Sequence, residues 1–285
     1  MDGKLRIVTD SAVWLDPEFV EQHGIVVVPM TVELEGHKYR EGVDIDHETF
    51  LQKLETATAL PNLIAPSVRE WAAAYQSLVK EAEYILVLPH SARLSQAFVH
   101  AREAINQVFG RARFWVVDTE TIGFGQGMIV RRAVEFAEQG MPAPEVVRQV
   151  RAMIPHVYAQ FLMDRLDYLE KYGRVGPAQA LLGTMLGIKP LVTIEDGEFI
   201  PVEKVLKWED GVEKLHDFVV EFLNIEELAI VQHNMEDETA LLLERLEMTL
   251  GEREFPVYSY GASLAVHLGP KVLGVFVYEG LEAGW

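Results

Sequence analysis

The chain has no cysteine among its 285 residues. A disulfide framework and thiolate metal ligands are therefore excluded, and a reduced, cytoplasmic setting is the expectation. No apolar run approaches the about 18–20 residues that a membrane-spanning helix needs. The opening MDGKLRIVTDSAV lacks a basic segment followed by an apolar stretch, so it does not read as a secretory leader. Cations are scarce: 25 Lys and Arg stand against 44 Asp and Glu, a formal net charge of −19. Such a surface repels nucleic acid and anionic lipid headgroups. An anionic small ligand would need a local exception made of helix N-termini, backbone N–H groups or a few placed cations. Also missing is any Gly-x-x-x-x-Gly-Lys-Ser/Thr loop, so no nucleotide-phosphate cradle is evident.

What is present is 49% apolar, enough for a sizeable core, on a length that suits two domains. Up to about residue 155, buried-type strands alternate with helices. LRIVTD (5–10), YILVLP (84–89) and RFWVVD (113–118) read as strands, with an amphipathic helix predicted over 94–109. Residues 25–34 read as one extended run that turns back at EGHKY. Asp16-Pro17-Glu18, Asp46 with Glu48, and Ser67 with Glu70 are helix starts, each placing an oxygen acceptor over free N–H groups. After Pro155 the texture changes. A strand (HVYAQFLMD), a short helix (DYLEKYG) and a strand pair around Asp196-Gly197 come first. Helices 210–223 and 236–250 and strands 227–233, 256–260 and 272–278 complete the chain. The expected fold class is α/β in two domains. Residues 1–155 form a parallel, helix-covered sheet, and residues 156–285 a mixed α/β sheet.

Several segments carry possible chemistry. IGFGQG (122–127) looks like a dinucleotide loop, but the sixth position from Gly123 is Met128, and a helix start is the ordinary reading. Gly261-Ala-Ser263-Leu-Ala265 is a loose nucleophile-elbow pattern. His267 follows it by four residues, closer than the usual order of a triad, and a turn before a strand is the alternative. Asp44, Asp46, His47 and Glu48 are numerous enough for a metal but match no ligand spacing. His267 sits in VHLGPKVLG, where an apolar strand end is expected to meet Gly269-Pro270, a partly buried place for an imidazole. Arg174 follows a short helix, where it can serve the helix dipole. Ser95 enters a helix just after a strand, and open α/β sheets bind ligands at that edge.

Together these pieces resemble the DegV family over essentially the whole chain. RIVTDSAVWLDPE, with Thr9, Asp10 and Ser11, resembles its N-terminal strand and turn, and VELEGHKYREGVDID the hairpin that follows. LVLPHSARLSQAF stands where the family usually has Leu-Ser-Gly-Thr-Tyr. YLEKYGRVGP resembles its arginine segment, LLGTMLGIKPLVTIEDGEFIPVEKV its Ile-Lys-Pro hairpin, and VHLGPKVLGVFV its His-x-Gly-Pro-Gly segment. The resemblance implies a carrier that binds one long-chain fatty acid in an apolar tunnel, with the carboxylate at the domain interface. It also implies presentation to a fatty acid kinase, with no cofactor and no catalysis by the carrier itself. Ser95, Arg174 and His267 match the family's ligand-contacting serine, arginine and histidine. Leu63, beside Asn62, stands where a threonine usually meets the carboxylate. Gln96 and Lys271 replace glycines, and Leu206 and Lys207 replace an arginine. Gln96 or Lys271 is expected to supply the donor lost at Leu63. The rival readings are a carrier of another apolar carboxylate or lipid, a serine hydrolase using Ser263 or Ser95 with His267, and a regulatory protein with an empty pocket.

Overall fold

A computed structural model describes residues 4–251 and 253–280. The strands of the first half are β1 (Leu5–Asp10), β2 (Val26–Val28), β3 (Thr31–Leu34), β4 (His37–Arg40), β5 (Asn62–Ile64), β6 (Tyr84–Leu88) and β7 (Arg113–Val116). Its helices are α1 (Pro17–His23), α2 (His47–Thr56), α3 (Val68–Leu78), α4 (Ala97–Ala104), α5 (Phe124–Glu138) and α6 (Ala143–Met153). Four strands form a parallel sheet in the order β2-β1-β6-β7. Val8 lies between Val26 and Val87 in its register. Ile85, Leu86, Val87 and Leu88 are all fully buried, as expected when helices cover both faces of a parallel sheet.

The extended run 25–34 divides between two sheets. β2 joins the parallel sheet, whereas β3 pairs antiparallel with β4 and β5 in a separate sheet. Pro29, which has no N–H to give a ladder, stands at the break. The expected turn at EGHKY is found, with Glu35 and Gly36 both at positive φ (50° and 81°), a twist that matches a tight hairpin. β5 has no counterpart in the sequence reading because three residues are too short for a periodic signal. The helix predicted over 94–109 is shorter, with α4 giving way to a single 3-10 turn at Ile105–Gln107.

The second half contains β8 (Val157–Met163), α7 (Asp167–Lys171), α8 (Pro177–Met185), β9 (Lys189–Glu195), β10 (Glu198–Val205), α9 (Trp208–Val220), β11 (Ile225–His233), α10 (Glu236–Leu250), β12 (Val257–Tyr258), α11 (Ala262–Leu268) and β13 (Val272–Glu279). Six strands make a mixed sheet in the order β10-β9-β8-β13-β11-β12. α9 and α10 cover one face over a core of Leu162, Val212, Leu215, Leu242 and Leu273. On the other face, Phe161 and Phe276 join the same core as Phe124 and the first sheet. One apolar interior thus runs from sheet to sheet. Two expectations are corrected here. The segment holding Ser263 and His267 is neither a turn nor a strand end but the helix α11. All seven of its residues are buried. A helix buried on every side shows no amphipathic period, so its sequence imitates a strand. α8, which runs unbroken through the buried Gly183, has no counterpart among the expected elements.

Candidate ligand site

β1 and β6 end side by side, and the carboxyl edge of a parallel sheet is where chain reversals leave room and free polar groups. The Asp10 carboxylate is fully buried there. It accepts hydrogen bonds from Ala12 N (3.1 Å), His90 N (3.0 Å), His90 Nδ1 (2.9 Å) and Gln126 Nε2 (3.3 Å). A carboxylate with four donors can only accept, so Nδ1 of His90 carries a proton and faces Asp10, and Nε2 is the ring's other nitrogen. That nitrogen lies 2.8 Å from Ser95 Oγ, which in turn accepts from Ala97 N at 3.0 Å where α4 begins. Gln126 also reaches Thr9 Oγ1 (2.9 Å) and Leu88 O (3.2 Å). This gives IGFGQG its role: α5 starts against the end of β1. A Cβ at Gly127 would sit 2.1 Å from the Trp14 carbonyl oxygen.

The second sheet faces this edge with His267, from the last turn of α11. Its ring lies 4.8 Å from that of Tyr172 and 5.2 Å from that of Phe199. The ring is only 3% exposed, and its buried Nε2 has no hydrogen-bond partner. Burial first, then the charges of His90, Lys171 and Arg174, push its pKa from 6.5 down to about 3, so the ring is neutral. Burial also lowers Lys171, whose Nζ donates to the Pro61 carbonyl. Arg174 Nη1 donates to Glu198 Oε2 at 2.8 Å. The two halves are joined by Ser91 Oγ, which donates to the Gly197 carbonyl at 2.7 Å in the β9–β10 turn.

Ser95, His267 and Arg174 therefore belong to one region. Gln96 is exposed at the start of α4, with no capping bond from its side chain. Leu63 on β5 is opposite Val32 and packs on the core. Asn62 is exposed, 3.4 Å from Glu33 Oε2. Lys271 Nζ sits 4.8 Å from the Trp208 ring centroid, and Lys189 Nζ sits 4.6 Å from the same centroid. Leu206 is exposed, and Lys207 is the N-cap of α9.

The serine–histidine pairings suggested by the sequence are not made. Ser263 and His267 are on successive turns of α11, but Ser263 gives both its N–H and its hydroxyl to the buried Glu41. Burial raises the Glu41 carboxyl, and Ser11 Oγ donates to it at 3.1 Å. Ser95 pairs with His90 and not with His267. Asp44 is bound by the Arg40 side chain and backbone, which pull it down to about 2, and Asp46 caps α2 through Thr49 N at 2.7 Å. Among the described residues no three His, Asp or Glu side chains are grouped to hold a metal ion. His90, Asp10 and Gln126 escaped the sequence reading as site residues. The available signal was position: Asp10 closes one strand, and His90 follows another at the same sheet edge.

The fold and the site define an α/β protein whose two main sheets meet at a cluster of buried polar groups. Its relatives are consistent with that. A family profile described as "Uncharacterised protein, DegV family" matches residues 4–280. A DegV domain-containing protein of Streptomyces coelicolor is 33% identical, covering 97% of this chain and 99% of that protein. One from Deinococcus radiodurans is 32% identical over 95% and 97%. The chain belongs to the DegV family. Among solved structures, one described as "Fatty Acid Binding of a DegV family Protein from Thermus thermophilus" superposes with a TM-score of 0.84, at 31% identity over 97% of this chain and 100% of that one. DegV of Bacillus subtilis, described as a fatty acid binding protein, gives 0.83 at 26% identity over 97% and 99%.

Proposed function

We propose that this protein binds one long-chain fatty acid, with the carboxylate held between Ser95 and His267 where the two sheets meet. The observation that carries this reading is the Nε2 atom of His267, buried and without a partner. An unsatisfied buried polar nitrogen costs about 1–3 kcal/mol, so a ligand oxygen placed there recovers that cost. Arg174 and Lys171 add positive charge to an otherwise acidic molecule. The fatty acid binding described for the Thermus and Bacillus relatives supports the same ligand class. The place for the tail is an apolar groove of about 340 Å³ between α8 and the β9–β10 strands, lined by Leu166, Val175, Ile188, Pro190, Pro201 and Val202. Val175 is the neighbour of Arg174, so a chain leaving the carboxylate has a short path to the groove. Each buried CH₂ contributes about 0.8 kcal/mol, which makes a sixteen-carbon tail worth on the order of 10 kcal/mol before ordering costs.

Residues 1–155 and 156–285 are then two domains that close on one ligand. The protein is a carrier that hands the carboxyl group to a separate fatty acid kinase, which supplies the phosphoryl chemistry. Denaturing extraction of the purified protein, followed by mass spectrometry, tests the ligand. One long-chain fatty acid per chain is expected. A different lipid in that amount, or none after incubation with fatty acid, overturns the reading.

A further inference from the structure

A carboxylate can only accept hydrogen bonds, and Ser95 has one hydroxyl proton to give. With a single proton on the His90 ring, held on Nδ1 against Asp10, the Ser95 proton is directed at His90 Nε2, 2.8 Å away. The Ser95 oxygen is occupied as well, by Ala97 N–H. A carboxylate arriving at Ser95 therefore competes with His90 for a single proton. The conflict disappears if His90 gains a second proton. Nε2–H then donates to Ser95 Oγ, and the hydroxyl turns its own proton to the ligand. Asp10 is already placed against the far side of the ring, ready to face an imidazolium.

We propose that His90 takes up a proton when the carboxylate binds, so that the ligand enters the site in the net form of the neutral acid. This rests on the reading of the ligand as a fatty acid carboxylate beside Ser95. Electrostatics favours the same outcome. Without the proton, the pocket would hold two negative groups, Asp10 and the ligand, on either side of a neutral ring. With it, the two negative groups bracket a positive one, which in a buried site is the cheaper arrangement. The groups facing His90 are Asp10 from β1, Ser95 at the entry to α4 and His267 from α11, with the neutral Gln126 of α5 on the same carboxylate. Lys171 and Arg174 lie beyond, where they act on His267, and Arg174 is paired with Glu198. His267 is held neutral by its burial and does not compete for the proton.

The test is calorimetric titration of dodecanoate into delipidated protein at about pH 8.5, above the ordinary imidazole range. It is run in two buffers of different ionisation enthalpy, so that the difference in heat counts protons. The wild type is expected to take up close to one proton per ligand, and its affinity to fall by up to about tenfold for each further pH unit. His90→Gln keeps an N–H donor near Ser95 but has nothing to protonate. It is expected to bind with almost no proton uptake and little pH dependence. Asp10→Asn, which frees the ring to carry its one proton on Nε2, is expected to do the same if circular dichroism shows it folded. Dodecanoate binding to the wild type without proton uptake overturns this inference and leaves the fatty-acid reading standing. Equal uptake by His90→Gln also overturns it. A wild type that binds no fatty acid overturns both.

Discussion

The two surfaces that meet at the site are built on opposite plans. On the parallel-sheet side, most of the polar network is partnered before any ligand arrives: Asp10 takes four donors, the Gln126 amide N–H groups bridge two strands, and His90 and Ser95 complete the chain, while Gln126 Oε1 stays without a partner. On the facing side, His267 keeps a buried nitrogen without a partner. The neighbouring α8 turns Leu181, Leu182, Met185 and Leu186 outward, each more than half exposed. The first surface is a hydrogen-bonded template held by the sheet. The second leaves a buried imidazole nitrogen unpaired beside exposed apolar side chains. A site assembled this way gains its rigidity from one half and leaves its unmet bonding capacity to be filled through the other.

The sharpest way to break this comparison is Asp10→Ala. It strands two His90 donors and Ala12 N–H in a dry interior, while the Gln126 amide keeps Thr9 and Leu88, and a loss of about 3–5 kcal/mol is expected. The measurement is the urea midpoint at unchanged slope. A loss under about 1 kcal/mol would mean that the template half is not held by its hydrogen bonds.

His267→Phe probes the incomplete half, with two effects of opposite sign. The amount of fatty acid retained on purification should fall severalfold. Stability in acid should rise. The folded-state pKa of His267 is about 3, against 6.5 for the free side chain. As pH drops below the free value, the unfolded chain takes a proton that the folded chain refuses, so this residue's contribution to stability is lost progressively down to the folded value. Phe removes that loss, an advantage of about 2 kcal/mol near pH 5 in thermal or urea unfolding. An unchanged acid limb would show that His267 is not held neutral.

Lys271→Ala should have the smallest effect. Its ammonium lies over Trp208, a contact worth up to about 1 kcal/mol, and bound fatty acid should be unchanged by mass spectrometry. A drop in bound ligand would place Lys271 at the carboxylate and redraw the site.

Much of the fold was legible because its signals are local. Asp16, Asp46 and Ser67 cap helices where their side chains reach free N–H groups, and Asp196-Gly197 turns a hairpin where positive φ is needed. α11 was illegible for the converse reason, since burial on all sides removes the alternation that distinguishes helix from strand. The site was half legible. Ser95, Arg174 and His267 stand in recognisable segments, but Asp10, the last residue of a strand, and His90 are 80 residues apart, and nothing local marks them as partners.

By itself the sequence determined the α/β class, the acidic surface, the absence of thiol chemistry and the segments on which ligand groups stand. Each of these follows from composition or from interactions within a few residues. Only the tertiary structure decided which groups share protons. The parallel pairing of β1 with β6 sets Asp10 beside His90, and the docking of α11 against α7, α2 and the β3–β5 sheet, with the Tyr172 and Phe199 rings beside the imidazole, seals His267 away from water. Hydrogen-bond polarity depends on distances of about 3 Å, and these exist only once the sheets have formed.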